Sequence, residues 1–379
     1  MKDLVYLDNS ATTRPCGTAI ENINKALSCD WGNPSSLYDM GFNAQILVDD
    51  TRTAVARLLR CREDEIYFVG SGTEGNNTAI LGAAAARKKR GKRIVTTAIE
   101  HPSVLETVKR LCEDGFEVIY LKPQDDGSIS VEDLKNTINK DTVLVSMMLA
   151  NNETGAIQPV KAAAEIIKNV GAPALLHCDG VQAFGKMEIN LYDLGVDLFT
   201  ASAHKIHGPK GVGILFVKKG VTIKPLITGG GQEKNMRSGT ESVPLIYGLK
   251  GAIDELGNIA KNLEKMRELC LYAKDSLLKT GIVTVNSPDN ALPYIINVSV
   301  EGYRSETLLH FLEARGVYVS SGSACAKGEG SYVLNEMGIP RRRVDSALRI
   351  SFSRYNTKED IDKLKDALVD ATNRLRRAN

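Results

Sequence analysis

Neither sign of charge dominates this 379-residue chain, in which 48 Lys and Arg stand against 46 Asp and Glu for a formal net charge of +2. That balance excludes a broad electrostatic footprint for nucleic acid, although a partner could still dock on a local patch. No apolar run approaches the ~18 residues that suggest a membrane span, and Met1–Ser10 lacks a basic-then-apolar signal pattern, so a cytoplasmic location is expected. The seven cysteines, at 16, 29, 61, 112, 178, 270 and 325, are odd in number and never spaced Cys-x-x-Cys. They fit neither a disulfide framework nor a zinc knuckle. No repeat or low-complexity stretch interrupts the chain. What remains is a composition of 43% apolar and 25% charged residues, enough to bury a large core and to divide into two domains.

From about residue 43 to 217, short β-rich runs alternate with helical patterns, the signature of an α/β fold with a largely parallel sheet covered on both faces. Strands are predicted at Ile66–Val69, Arg93–Thr97, Glu117–Leu121, Val143–Leu149, Ala174–Asp179, Asp197–Ala201 and Gly213–Val217. Helices are predicted at Ala44–Leu59, Asn76–Lys89, Val104–Glu113 and Ala162–Asn169. Ser242 and Pro244 then open one long helix, in which Leu249, Ile253, Leu256, Ala260, Leu263 and Met266 recur every three or four positions. The domain change belongs there: residues 15–250 form a large domain, and residues 1–14 with 251–379 a smaller α+β one. The smaller unit reads as strands Ile295–Val300 and Val317–Val319, helices Glu306–Arg315 and Lys358–Arg376, and a Gly/Ser-rich loop between Ser320 and Gly330.

Thr200-Ala-Ser-Ala-His-Lys-Ile-His-Gly-Pro-Lys-Gly directly follows an apolar strand. Open α/β sheets bind ligands at the carboxyl ends of their strands, so Ser202, His204 and Lys205 stand where a cofactor would sit. A partly buried lysine beside other cations loses its proton readily and can form an imine, whereas a lysine in a surface turn does neither. Asp179 ends the apolar run Ala174-Leu-Leu-His-Cys-Asp, where a carboxylate is costly unless a cation or donors meet it. A protonated pyridine nitrogen is such a cation, and Gln182, three residues on, could donate to a phenolic oxygen of the same ring. The competing reading makes Asp179 a turn cap.

Gly70-Ser-Gly-Thr-Glu-Gly-Asn-Asn lies between a strand and an Ala-rich helix. Gly72 and the backbone around it offer N–H groups to a phosphate, with the Thr73 hydroxyl beside them; a capped tight turn explains the run nearly as well. It is neither a Walker loop nor a dinucleotide fingerprint. His101 follows Arg93–Thr97 onto the same sheet edge, where an imidazole could stack on a ring and shuttle protons or, alternatively, cap the helix before Pro102. His204-x-x-His207 has no carboxylate or cysteine to complete a metal site, so no metal is expected. Cys325 sits among small residues beside Lys327, a setting that favours an accessible thiolate, while the other six cysteines fall in apolar or helical patterns and are expected to pack.

Taken in order, Leu7-Asp-Asn-Ser-Ala-Thr-Thr, Gly32-Asn-Pro-Ser-Ser, Glu100-His, Asn151-Asn-Glu-Thr-Gly, Asp179-Gly-Val-Gln, His204-Lys-Ile-His-Gly-Pro-Lys-Gly, Met236-Arg-Ser-Gly-Thr, Ser320-Ser-Gly-Ser-Ala-Cys and Leu348-Arg-Ile-Ser-Phe resemble the cysteine desulfurases of the NifS/IscS group. These belong to the class-V aminotransferase-like, fold-type-I enzymes that use pyridoxal 5'-phosphate (PLP). The resemblance runs nearly end to end. It implies that Lys205 is the Schiff-base lysine, that Asp179 pairs with the pyridinium, that His101 stacks on the ring, and that Asn152 and Gln182 bond its phenolic oxygen. It further implies phosphate contacts from Thr73, Ser202 and His204, with Thr240 arriving from the second subunit of a homodimer, and substrate carboxylate held by Arg349 with help from Asn33. L-cysteine would give L-alanine and a persulfide on Cys325, to be passed to an acceptor protein.

Some positions depart from the commoner family pattern: Gly70-Ser71-Gly72 before Thr73, Ala203 for a frequent glycine, and Gln232 for a usual histidine. Only five residues separate Cys325 from Ser331, fewer than in the housekeeping iron–sulfur branch. A tRNA-thiolating enzyme therefore stands beside an iron–sulfur scaffold as the expected acceptor. Three rivals share the fold: an aminotransferase or β-lyase without a catalytic cysteine, a selenocysteine lyase, and a non-catalytic sulfur-relay protein.

Overall fold

The computed structural model describes residues 4–321 and 330–377, so Cys325 and Lys327 lie outside the described residues. The strands, in chain order, are β1 Val5–Tyr6, β2 Ile66–Val69, β3 Arg93–Thr97, β4 Glu117–Leu121, β5 Thr142–Met148, β6 Leu175–Asp179, β7 Leu198–Ser202, β8 Gly213–Val217, β9 Thr284–Val285, β10 Ile295–Ser299, β11 Val317–Tyr318 and β12 Ala347–Ser351. Seven of them form one sheet in the order β2-β8-β7-β6-β5-β3-β4. Only β8 runs against the others.

The reason these runs form a central sheet is visible in β8. Ile214 and Phe216 join one buried cluster while Leu215 and Val217 join the other, the period-two alternation of a strand buried on both faces. The helices Gly72–Arg87 and Pro102–Glu113 cover one face with Ala79, Ile80, Ala83, Val104 and Val108. The helix Val160–Val170 covers the other with Val160, Ala163 and Ile167. Phe184, Phe199 and Phe216 are fully buried, each burial stabilising by roughly 1.5–3 kcal/mol.

A second sheet, antiparallel in the order β12-β10-β9, packs with the helix Ile259–Leu278, while β1 pairs in parallel with β11 and both pack on the helix Lys358–Arg374. The predicted long helix is instead two, Val243–Asp254 and Ile259–Leu278. Gly257 takes φ +64° between them, Asn258 caps the second by accepting from Lys261 N, and Asn262 Nδ2 donates to Leu256 O at 2.6 Å. Apolar spacing runs on through the break although the two helices pack on different partners, the first on Gly17–Ser28 and Asp39–Leu59 and the second on β9, β10 and Lys358–Arg374. Two expected core thiols, Cys29 and Cys112, are exposed, whereas Cys16, Cys178 and Cys270 are buried. Among the described residues, no helix is long and apolar enough to cross a membrane.

The Gly-rich run at residue 72 begins its helix four residues earlier than predicted. Ser71 is the N-cap, its side chain accepting from Glu74 N at 3.1 Å. Glycine permits the close approach: a Cβ on Gly75 would lie 2.6 Å from Thr200 Cγ2, and one on Gly72 would lie 2.9 Å from Val181 Cγ2. The helix N-terminus therefore sits against the ends of β6 and β7.

Candidate active site

Because β3, β5, β6 and β7 are parallel, their carboxyl ends bring His101, Asn152, Gln182 and Lys205 to one edge of the sheet. Lys205 Nζ donates to the backbone carbonyls of Ser10 and Ala11, the latter at 2.9 Å. Burial first, and then the Arg349 guanidinium, lower its pKa to about 8, against the opposing pull of Asp8 and Asp179. The segment carrying Ser10 is stitched down on both sides of the lysine. Thr13 N and Oγ1 donate to His204 O at 2.9 and 3.0 Å, His207 N donates to Thr13 Oγ1 at 2.7 Å, and Ser10 N donates to Ser351 Oγ at 2.8 Å.

Asp179 closes β6, 6% exposed. Its oxygens accept from Asn76 Nδ2 at 2.7 Å and from Val181 N at 2.9 Å. Among the described residues no cationic side chain forms an ion pair with it. Gln182 donates from Nε2 to Ser10 O at 3.0 Å, and its Oε1 accepts from Lys186 Nζ at 3.1 Å. Lys186 is 4% exposed, and burial, Lys205 and Arg349 together lower its pKa to about 7.

His101 caps the helix Pro102–Glu113, as its alternative reading required, at the edge of the site. Nδ1 accepts from Ser103 N at 3.1 Å and lies 2.8 Å from Ser103 Oγ. Desolvation and, secondarily, Lys205 push its pKa below the ordinary histidine value, with Asp179 opposing. Ser202 is buried at the end of β7; Thr73 is exposed in the first turn of Gly72–Arg87; His204 Nδ1 lies 3.2 Å from Thr12 Oγ1. Burial and the neighbouring lysines 205, 210 and 186 hold His204 at about 4, hence neutral.

Arg349 reaches the same edge from β12. Nη2 meets Asp8 Oδ1 at 2.8 Å, Nη1 donates to Asn152 O at 3.0 Å, and its backbone pairs with Ser320 in both directions. Asn33 does not join them: it is exposed, with Oδ1 accepting from Ser35 N at 3.0 Å. Thr240 is also exposed, in a loop tied to the helix start by Arg237 Nε and Glu74 Oε1 at 2.9 Å. Glu153, next to Asn152, accepts from Ser331 Oγ, and burial raises its carboxyl to about 7.

Sequence reasoning passed over Asp8, Ser10, Asn76, Ser103 and Lys186. Asp8 and Ser10 lie in a motif already notable in the chain; Lys186 carried a signal as a lone cation after the buried Ala183 and Phe184. Asn76 and Ser103 gave none, because their importance arises only when two helix starts converge.

These residues fit PLP. Asp179 is a buried carboxylate lacking a cationic partner, as a pyridinium requires. Among the described residues, Asn152 Oδ1, Ser10 Oγ and Arg349 Nε are buried polar atoms without partners, on residues that hydrogen bonds from Lys205 to Ser10 O and from Arg349 to Asn152 O bring to this edge. The start of Gly72–Arg87 offers free N–H groups and a favourable dipole to a phosphate.

Comparison with known proteins bears on the same site. Residues 5–364 match the family described as aminotransferase class-V. A curated relative from Methanosarcina thermophila, named cysteine desulfurase IscS, is 40% identical over 98% of this chain and 93% of its own. A solved structure titled NIFS-like protein superposes with TM-score 0.93 at 38% identity, covering 98% of this chain and 100% of that one. Another, titled SspA in complex with cysteine, gives TM-score 0.82 at 30% identity over 93% and 99% of the respective chains.

Proposed function

The chain belongs to the aminotransferase class-V family, and on that premise we propose that it is a PLP-dependent cysteine desulfurase, converting L-cysteine to L-alanine with transfer of the sulfur to Cys325 as a persulfide. One observation carries this reading: a lysine amine of lowered pKa, a buried carboxylate without a protein cation and a buried arginine converge on one sheet edge, in a chain 40% identical to a cysteine desulfurase.

When bound, PLP supplies a carbonyl that condenses with amines and a ring that accepts an electron pair. Asp179 would hold the ring nitrogen protonated, and Asn76 keeps that carboxylate aimed. Thr73, Ser202, His204 and the backbone at Gly72 hold the phosphate. Asn152 and Gln182 would hydrogen-bond the phenolic oxygen, and His101 would cover the ring. Arg349 takes the substrate carboxylate with its planar fork. Lys205, able to lose its proton near neutrality, would hold the cofactor through its amine and, once free, would move the proton at the substrate Cα. Cys325 receives the sulfur as a thiolate.

A homodimer accords with the exposed apolar side chains of Trp31, Leu37, Tyr38 and Phe42, which are 65%, 105%, 61% and 65% accessible. Thr240 then reaches the phosphate of the partner's site. A cytoplasmic sulfur acceptor, either an iron–sulfur scaffold or a tRNA-thiolating enzyme, completes the reading, with residues 15–250 as the cofactor domain and the remainder as the domain carrying Cys325.

The test is alanine and sulfide release from L-cysteine by the PLP-loaded protein and by Cys325→Ser. Loss of sulfide with cofactor absorbance retained is expected. Full turnover in Cys325→Ser would replace this reading with a β-lyase or aminotransferase.

A further inference from the structure

Four side chains link the two ends of the site. Asn76, 1% exposed, donates from Nδ2 both to Asp179 Oδ2 at 2.7 Å and to Ser103 Oγ at 2.9 Å. Turning the amide over would set its oxygen against the carboxylate, so the charge on Asp179 fixes which way Asn76 points. Its Oδ1 consequently lies buried without a partner among the described residues. Ser103 Oγ, having accepted from Asn76, has one hydrogen left, and His101 Nδ1 lies 2.8 Å away. The Ser103 backbone N–H also aims at Nδ1, at 3.1 Å. Two donors therefore converge on one ring nitrogen, which must be the unprotonated one, and the hydrogen of the neutral ring stands on Nε2.

We propose that Asn76 and Ser103 are positioning residues that hold His101 as its Nε2–H tautomer, so that His101 serves as a hydrogen-bond donor and Lys205 Nζ alone accepts the substrate proton. A ring in this state has its only lone pair in the ring plane engaged by two donors. It can take a proton only by giving up both. The lowered pKa of His101 agrees in direction. Lys205 carries no such restraint: its neutral amine has a free lone pair, takes the proton from the substrate carbon and becomes an ammonium. The inference rests on the desulfurase reading for the identity of that proton, whereas the tautomer itself does not.

The full-length, PLP-loaded protein labelled with nitrogen-15 histidine tests it directly. The chain has five histidines, and loss of one signal set in His101→Gln assigns the ring. The expected spectrum shows Nδ1 as an acceptor nitrogen and Nε2 as N–H; an Nδ1–H ring or an averaged pair overturns the proposal. Ser103→Ala, a small change, and Asn76→Ala should each move the pair toward averaging, and unchanged shifts in the folded variants would remove their positioning role. In turnover, His101→Gln keeps an N–H near the Nε2 position. It should fall no more than about tenfold while His101→Phe falls at least about 100-fold; loss in His101→Gln of the ~10²–10⁴ typical of a missing general base would return that role to the histidine. Absence of desulfurase turnover in the wild type, with the Nε2–H spectrum intact, would sink the function and leave the tautomer standing.

Discussion

Arg349 Nη2 sits 2.8 Å from Asp8 Oδ1, joining the buried strand β12 to the segment that follows β1. The pair uses one edge of the guanidinium, the Asn152 carbonyl uses another, and Nε is left buried without an acceptor among the described residues. A planar group held from two sides is preorganised for a carboxylate.

Arg349→Gln should therefore raise KM for L-cysteine about 10- to 100-fold, the size of a lost charge-assisted hydrogen-bond pair. Steady-state kinetics at saturating PLP measure it. A KM within twofold of wild type would show that another group holds the carboxylate.

PLP capture by the PLP-free protein reports on Lys205 itself. Only the neutral amine condenses, so the rate should rise as pH passes through about 8 and level off above it. Removing the Arg349 cation removes part of what disfavours the ammonium, so in Arg349→Gln the rise should move to higher pH. Stopped-flow absorbance follows both, and a rise displaced to lower pH in the variant would contradict the assigned charge effect.

Lys186 is a buried cation whose folded pKa, about 7, lies below its ordinary value of 10.5. The unfolded chain binds its proton more tightly, so this lysine destabilises the fold most below pH 7 and progressively less as pH rises from there toward 10.5. Lys186→Met should be more stable than wild type near pH 6, with the difference shrinking as pH rises. Urea unfolding across that range measures it; a difference growing with pH would refute the sign.

Glu233 is 3% exposed at its side chain and is gripped by Arg52 at 2.8 and 3.0 Å and by Phe68 N at 2.8 Å. It opens a run of three residues with left-handed backbone, Glu233, Lys234 and Asn235, at φ 46°, 54° and 66°. Such strain persists only where surroundings impose it. Arg52→Met strands the carboxylate and should cost ~3–5 kcal/mol in urea unfolding. Adding Glu233→Met should recover part of that loss, and an additive double variant would deny the coupling.

The central sheet was legible because all of its strands except the edge strand Glu117–Leu121 bury most of their residues; Ile66–Val69 and Gly213–Val217 are continuous apolar runs that need no tertiary knowledge. Lys205, Asp179 and His101 were legible because polar groups at strand ends are unusual enough to stand out. The start of Gly72–Arg87 was not, since its glycines carry poor helix propensity and are kept for close packing on Thr200. Nor was the break at Gly257, where apolar spacing runs on regardless. The Asn76–Ser103 link was invisible for another reason: two side chains 27 positions apart meet only because adjacent helices begin at one edge.

The Ser10 carbonyl that receives both Lys205 and Gln182 is held in place by Ser351, 341 positions away. A ribosome exposing the first 300 residues would thus have released all seven strands of the central sheet and the reactive lysine, yet not the latch that seats the amine. Contacts this distant close late. The nascent chain is thereby kept from finishing its reactive centre until the last strand has emerged.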